Sequence, residues 1–262
     1  MTADALRDQL ISFLKSAGET LPLAAGATIT RREAQEQLQA LIPTTIEVRD
    51  VCVGPRAIVL AAPHVSFDHW SEYFCNRAAA HLKVGRVVAK HFRDQDNLHI
   101  PVSIRRHVHV NRPTESDGPN KPEHETKRAR HAHEKYIAAL REAGGGKFPL
   151  ALLIEFHSQR QHKQIEIATV GWTASEAESL LEMWNELRRR EVSLPELRIE
   201  PLHDLHFTAA SAKRHGSLRP DVSRKALHIE IPRGVRRSEE LRQLANGSLL
   251  AFLDAVMQRL ET

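Results

Sequence analysis

The chain is poor in cysteine, with two in 262 residues, Cys52 and Cys75. They form no C-x-x-C pair, which excludes a cysteine-ligated zinc ribbon and a thioredoxin-type site, and such usage fits a cytoplasmic, reducing setting. No stretch approaches the roughly 18 uncharged apolar residues of a membrane span, so no membrane partner is expected. The first residues place Asp4, Arg7, Asp8 and Lys15 among Leu6, Leu10, Ile11 and Leu14. That spacing predicts an amphipathic helix and is not that of a signal peptide. H-E-x-x-H, G-x-S-x-G and the P-loop are also missing, so a zincin, a serine hydrolase and a nucleotidase lack their marks.

Charge of one sign is scarce as well. Lysine plus arginine exceed the acids by 4, and a sequence pI of about 9.2 invites a nucleic-acid reading. Outside Lys127, Arg128, Arg130 and the triplet Arg188, Arg189, Arg190, however, basic clusters have acidic neighbours, which argues against that partner. What is present is a hydrophobic fraction of 41%, enough at this length for a sizeable core. Sixteen histidines stand out, a residue that both ligates metals and titrates near neutral pH.

Residues 1–45 read as a helical N-terminal extension, with a capping box Thr30-Arg31-Arg32-Glu33 opening its second helix and Pro43 ending it. Residues 46–262 read as one α/β domain that includes a C-terminal helix from Ser238. In it, TTIEVRDVCVG alternates, while RAIVLAAPH and FPLALLIEFHS are apolar runs of the kind buried on both faces of a sheet. A helical stripe of Trp70, Phe74, Ala78 and Leu82 leads to GRVVAK, a β-α-β pattern that predicts a parallel or mixed sheet. Val102 to Asn111 alternates as a strand, TESDGPNKPEHET reads as a long loop, and a second capping box stands at Thr173-Ala174-Ser175-Glu176.

Two of the apolar strands end in histidine, His64 and His157, and ligands in open α/β sheets collect beyond the carboxyl ends of strands. A catalytic zinc takes three protein groups. Asp68, four residues after His64, can supply one, or it can cap the helix that follows. Glu230 lies in the otherwise apolar strand ALHIEIPR; an acid there is a candidate general base, or it pairs with Arg233 or Arg236 at the surface. Among the other histidines, His131 and His133 point apart on a helix, and His107 and His109 lack a third partner in sequence. His203 and His206 need a turn to meet.

The segments VLAAPHVSFD, VHVNRPT, HEKYIAAL, LLIEFHSQ and TAASAKRHG…ALHIEIPRGVR resemble, in order and rough spacing, those of the N-formylglutamate amidohydrolase family, related to zinc carboxypeptidases and aspartoacylases. The likeness runs from about Ala57 to Arg237. It implies a central mixed, mostly parallel sheet flanked by helices, as in zinc carboxypeptidases, and zinc held by His64, His157 and an acid shortly after the first histidine, for which Asp68 is chosen. The carboxypeptidase pattern has glutamate three residues after that histidine, where this chain has Phe67; Glu72 is the alternative third ligand. The resemblance also implies Glu230 as catalytic base, Asn111 and Arg112 as holders of a substrate carboxylate, and Arg214 as a catalytic residue stabilising the oxyanion. Glu155 would orient a ligand from behind. The expectation is a zinc-dependent amidohydrolase acting on a small anionic N-formyl or N-acyl amino acid. The alternatives are a non-catalytic module of the same fold that binds metal or carboxylate, and, more weakly, a nucleic-acid-binding protein.

Overall fold

Apolar runs that would be insoluble on a surface are accommodated when both faces of a sheet are covered. Two such runs form the centre of this chain's computed structural model, in which residues 2–23, 26–41, 45–90, 107–116 and 122–260 are described. In chain order the elements are α1 (Ala3–Lys15), β1 (Thr20–Pro22), β2 (Thr28–Thr30), α2 (Arg31–Ala40), β3 (Thr45–Asp50), β4 (Ile58–Ala62), α3 (Ser71–Leu82) and β5 (Gly85–Lys90). Then come β6 (His107–His109), β7 (Thr114–Ser116), β8 (Glu123–Glu125), α4 (Lys127–Ala143), β9 (Leu150–Gln159) and β10 (Ile165–Val170). The last are α5 (Ala174–Arg190), β11 (Leu197–Ile199), α6 (Ala210–His215), β12 (Ser223–Pro232) and α7 (Glu239–Arg259).

The main sheet has seven strands in the order β11-β10-β12-β9-β4-β5-β3. It is mixed and mostly parallel: β9 runs parallel to both β4 and β12, β4 to β5, and β10 to β11. The antiparallel pairs are β10 with β12 and β3 with β5. Side chains alternate between faces along each strand. Leu152, Ile154 and Phe156 of β9 pack on one side with Phe74 of α3, Trp184 of α5 and Phe252 of α7. On the other side Leu153 packs with Tyr136 and Leu140 of α4. Toward the carboxyl ends of β9 and β12 this second face stops being apolar, and Glu155, His157, His228 and Glu230 take its positions.

The two capping boxes form as expected. Thr30 and Glu33 exchange hydrogen bonds at the start of α2, and Thr173 and Glu176 do so at α5; Ser238 caps α7. The N-terminal segment is not purely helical, because β1 and β2 pair beside α1 and α2. Leu10, Phe13, Leu14, Ile29, Ala34 and Leu38 form a core cluster of their own there. The long loop expected after Pro113 has short strands β7 and β8 at its ends, joined with β6 in a three-stranded sheet; three-residue strands leave too little alternation to read. Of the strand expected over Val102–Asn111, positions 102–106 lie outside the described residues. Among the described residues, no helix is long and apolar enough to cross a membrane.

Candidate metal centre

β4 ends at Ala62, and the turn after it folds Asp68 back under His64, with the Asp68 and Phe67 N–H groups donating to the His64 carbonyl at 2.7 and 3.0 Å. The Asp68 carboxylate lies 2.9 Å from His157 Nδ1 and 3.7 Å from His64 Nδ1 through the same oxygen, Oδ2. It is not a helix cap. α3 starts at Ser71 after Trp70, which makes no side-chain cap, and it is the Asp68 carbonyl that receives the Ser71 N–H and hydroxyl. Glu72, the alternative ligand, is turned away to Arg49 at 2.7 Å and Lys90 at 3.2 Å.

The parallel register of β9 and β12 sets Glu230 opposite His157 and His228 opposite Glu155. Acid and imidazole therefore alternate both along and across the strands. The rings of His157 and His228 stack with centroids 4.0 Å apart, and His228 Nε2 is 3.2 Å from Glu230 Oε1. Arg236, one of the two surface partners considered for Glu230, instead donates to the carbonyls of His69, Gln159 and Pro232. Behind the histidines Glu155 is fully buried. It accepts hydrogen bonds from Asn111 Nδ2 at 3.1 Å, the Tyr136 hydroxyl at 2.9 Å and the Ser217 hydroxyl at 2.6 Å.

Burial opposes charge on every group here, and neighbours decide the outcome. Burial raises Asp68 and Glu155, but hydrogen bonds from His157, with the nearby imidazoles of His64 beside Asp68 and of His228 beside Glu155, outweigh it and hold both acids below their usual range. Burial likewise works against a charged His157, yet its bonds to Asp68 and Glu155 prevail and raise it. For His64 burial wins over Asp68 and lowers it.

His64, Asp68 and His157 each offer a ligand atom, and these atoms lie within 4.8 Å of one another. His64 Nε2 is buried and has no hydrogen-bond partner. A neutral imidazole with an unsatisfied buried nitrogen, beside an ionised carboxylate and a second imidazole that gives up its proton on binding metal, is a donor set that suits zinc. Glu155, His157 and His228 form a second such group, in which Glu155 already accepts hydrogen bonds from three neutral donors.

A cavity of about 410 Å³ opens at this point, lined by His64, Asp68, His157, His228, Glu230 and Arg112 among others. Its opposite wall, from His206 to Ala212, is anchored by Glu166 of β10, which accepts the N–H groups of His206 and Phe207 at 3.0 and 2.9 Å. His109 also lines the cavity, its ring 5.2 Å from that of His64. Burial, followed by the charge of Arg112, lowers it. Arg214, expected to stabilise the oxyanion, is exposed on α6 and is not among the residues lining the cavity, where α6 contributes Ala210, Ser211 and Ala212. Arg112 is on the wall but already holds Glu123, and Asn111 points back to Glu155.

Tyr136, Ser217, His109 and His228 were not legible as members of the site. Only His228 left a trace, since His228-x-Glu230 repeats the spacing of Glu155-x-His157.

No protein-family model matches the chain, and no curated protein sequence does. Solved structures do. A bacteriophage poly-gamma-glutamate hydrolase is 11% identical, covering 83% of this chain and 90% of its own, with a TM-score of 0.47. An N-formylglutamate amidohydrolase from Ralstonia eutropha is 14% identical, covering 84% and 99%, with a TM-score of 0.45. A metallo-carboxypeptidase from Burkholderia cenocepacia is 13% identical, covering 90% and 70%, with a TM-score of 0.44. The families that the sequence resembles are thus among its structural neighbours, and identities this low leave metal and substrate to be argued from the site.

Proposed function

We propose that the chain is a zinc-dependent hydrolase of the amide bond in a small N-formyl or N-acyl amino acid, with His64, Asp68 and His157 as ligands. The observation that carries this reading is the three ligand atoms within 4.8 Å of one another at the wall of a cavity that Glu230 also lines. Zinc, when bound, supplies Lewis acidity to a scissile carbonyl and to water. The remaining work falls to the chain. Glu230 presents a carboxylate to the cavity and takes the proton of the attacking water, while His228 Nε2, 3.2 Å away, holds that carboxylate in place. Glu155 holds the ring of His157 from behind, its Oε2 3.4 Å from Nε2. About 410 Å³ is room for a small molecule.

The test has two parts. Wild-type protein should bind one zinc per chain and lose it in a His64→Ala, His157→Ala double variant. It should also hydrolyse N-formyl or N-acyl amino acids, with Glu230→Gln retaining zinc and losing turnover by at least about a hundredfold. A second reading, a metal-binding module without turnover, is favoured by one observation, the position of Arg214 outside the cavity wall. Zinc binding with no hydrolysis would select it; absence of zinc binding would remove both. Nothing favours a nucleic-acid partner, since Arg128 is held by Glu115, Arg130 by Glu125, and Arg189 and Arg190 by Glu186.

A further inference from the structure

Arg112 is the residue expected to grip a substrate carboxylate, yet its guanidinium already grips one. Nε and Nη2 form the edge that binds a carboxylate through two parallel bonds, and they donate to Glu123 Oε2 and Oε1 at 2.8 and 2.6 Å. Nη1 donates to Asn111 Oδ1 at 3.2 Å, and Asn111 is tied in turn to the buried Glu155. All three nitrogens therefore have partners from the chain itself. The same face of the three-stranded sheet completes the seat around Glu123. The Thr114 hydroxyl donates to its Oε2 at 2.8 Å, and His109 Nε2 stands 3.3 Å from its Oε1. His109 and Thr114 are register partners, and Glu123, paired with Ser116, lies on the same face two positions along β8 from Glu125, the partner of Thr114, so that its side chain reaches Thr114 diagonally.

We propose that Glu123, which is not itself among the lining residues but pairs with the lining Arg112, is a specificity-determining residue: its carboxylate occupies the place on Arg112 that a ligand carboxylate would take, so an anionic ligand reaches that guanidinium only by exchanging with it. This rests on the reading of the cavity as a substrate site. The exchange is like for like. An incoming carboxylate gains the two charge-assisted bonds that Glu123 gives up, so at this position wild-type protein gains little from a ligand's negative charge. Glu123 lies on a strand whose residues are exposed, and its side chain is 34% exposed against 17% for Arg112. The glutamate can therefore return to water while the arginine stays fixed by Asn111. Removing Glu123 leaves the fork open and turns the wall into a true anion site.

The experiment compares glutarate with its uncharged diamide, glutaramide, by titration calorimetry on the full chain. Glu123→Ala should bind glutarate at least tenfold tighter than wild type, about 1.4 kcal/mol, with glutaramide unchanged. Glu123→Gln, which keeps the shape and loses the charge, should show a smaller gain and serves if the alanine variant does not fold. The gain should vanish in Arg112→Ala, Glu123→Ala. Unchanged or undetectable glutarate binding in folded Glu123 variants overturns the proposal, as does a gain that survives loss of Arg112. Zinc stoichiometry measured on the same samples keeps the two readings apart: loss of zinc binding counts against the hydrolase, and an unchanged glutarate affinity counts against Glu123 alone.

Discussion

Glu155 is a carboxylate with no exposed surface, and a group of that kind stays ionised only when hydrogen bonds replace its hydration. Tyr136, Ser217 and Asn111 provide them from α4, from the turn after α6, and from the turn between β6 and β7. Tyr136→Phe and Ser217→Ala each take one donor away and leave the charge buried. Each should lower stability by about 1–3 kcal/mol, read from the urea midpoint at constant slope. A loss below about 0.5 kcal/mol in both would show that the donors are not essential to the carboxylate. Cys75 makes a simpler case. Burial raises its thiol, and the charges of Arg86 and Arg49 do not offset that. The folded protein should therefore leave Cys75 unlabelled by a disulfide reagent at pH 8, with reaction only on denaturation; rapid native labelling would contradict its burial.

At the scale of elements, the site depends on how closely α6 and its following turn approach the turn between β6 and β7. Gly216 makes that approach possible. A Cβ built there would lie 2.1 Å from the Asn111 carbonyl oxygen, the same oxygen that accepts the Ser217 N–H at 2.8 Å. Gly216→Ala must push the two turns apart and withdraw both Ser217 and Asn111 from Glu155. It should cost at least about 1–3 kcal/mol and weaken zinc binding, both measurable on one sample; a variant with wild-type zinc affinity would show that the seam does not hold the centre together. Helix ends behave differently, because their hydrogen bonds span three residues. Thr173→Ala removes the α5 cap and should cost about 1 kcal/mol with zinc affinity unchanged. That locality is also why both capping boxes were readable in advance, whereas β7, β8 and β11, of three residues each, were not.

For the whole molecule, metal and fold should be linked. Zinc at 100 times its dissociation constant should stabilise the chain by about 2.7 kcal/mol, and a chelator should lower the melting temperature. The His64→Ala, His157→Ala variant should respond to neither. The N-terminal cluster around Leu10 contains no residue of the two cores that flank the sheet. Leu10→Ala, at a fully buried position, should loosen that cluster by about 2–5 kcal/mol while zinc affinity stays at the wild-type value. A fall in affinity would show that the N-terminal segment supports the centre.

The sequence by itself determined the sheet's inner strands, the two capping boxes and the pair of histidines near the carboxyl ends of inner strands, although His64 lies in the turn after β4 and His157 two residues before the end of β9. Apolar runs, period-two alternation and local hydrogen-bonding patterns are written into consecutive residues. It also left Asp68 divided between cap and ligand, and Glu230 between base and surface pair, because one residue type serves either role. Only the tertiary structure decided where those side chains point. It bent Asp68 to His157 across 89 positions of chain, set His228 against Glu155 through strand register, filled Arg112 with Glu123 and left Arg214 outside. Distance in space between residues far apart in sequence is fixed by packing and register, and neither is encoded in any local stretch of the chain.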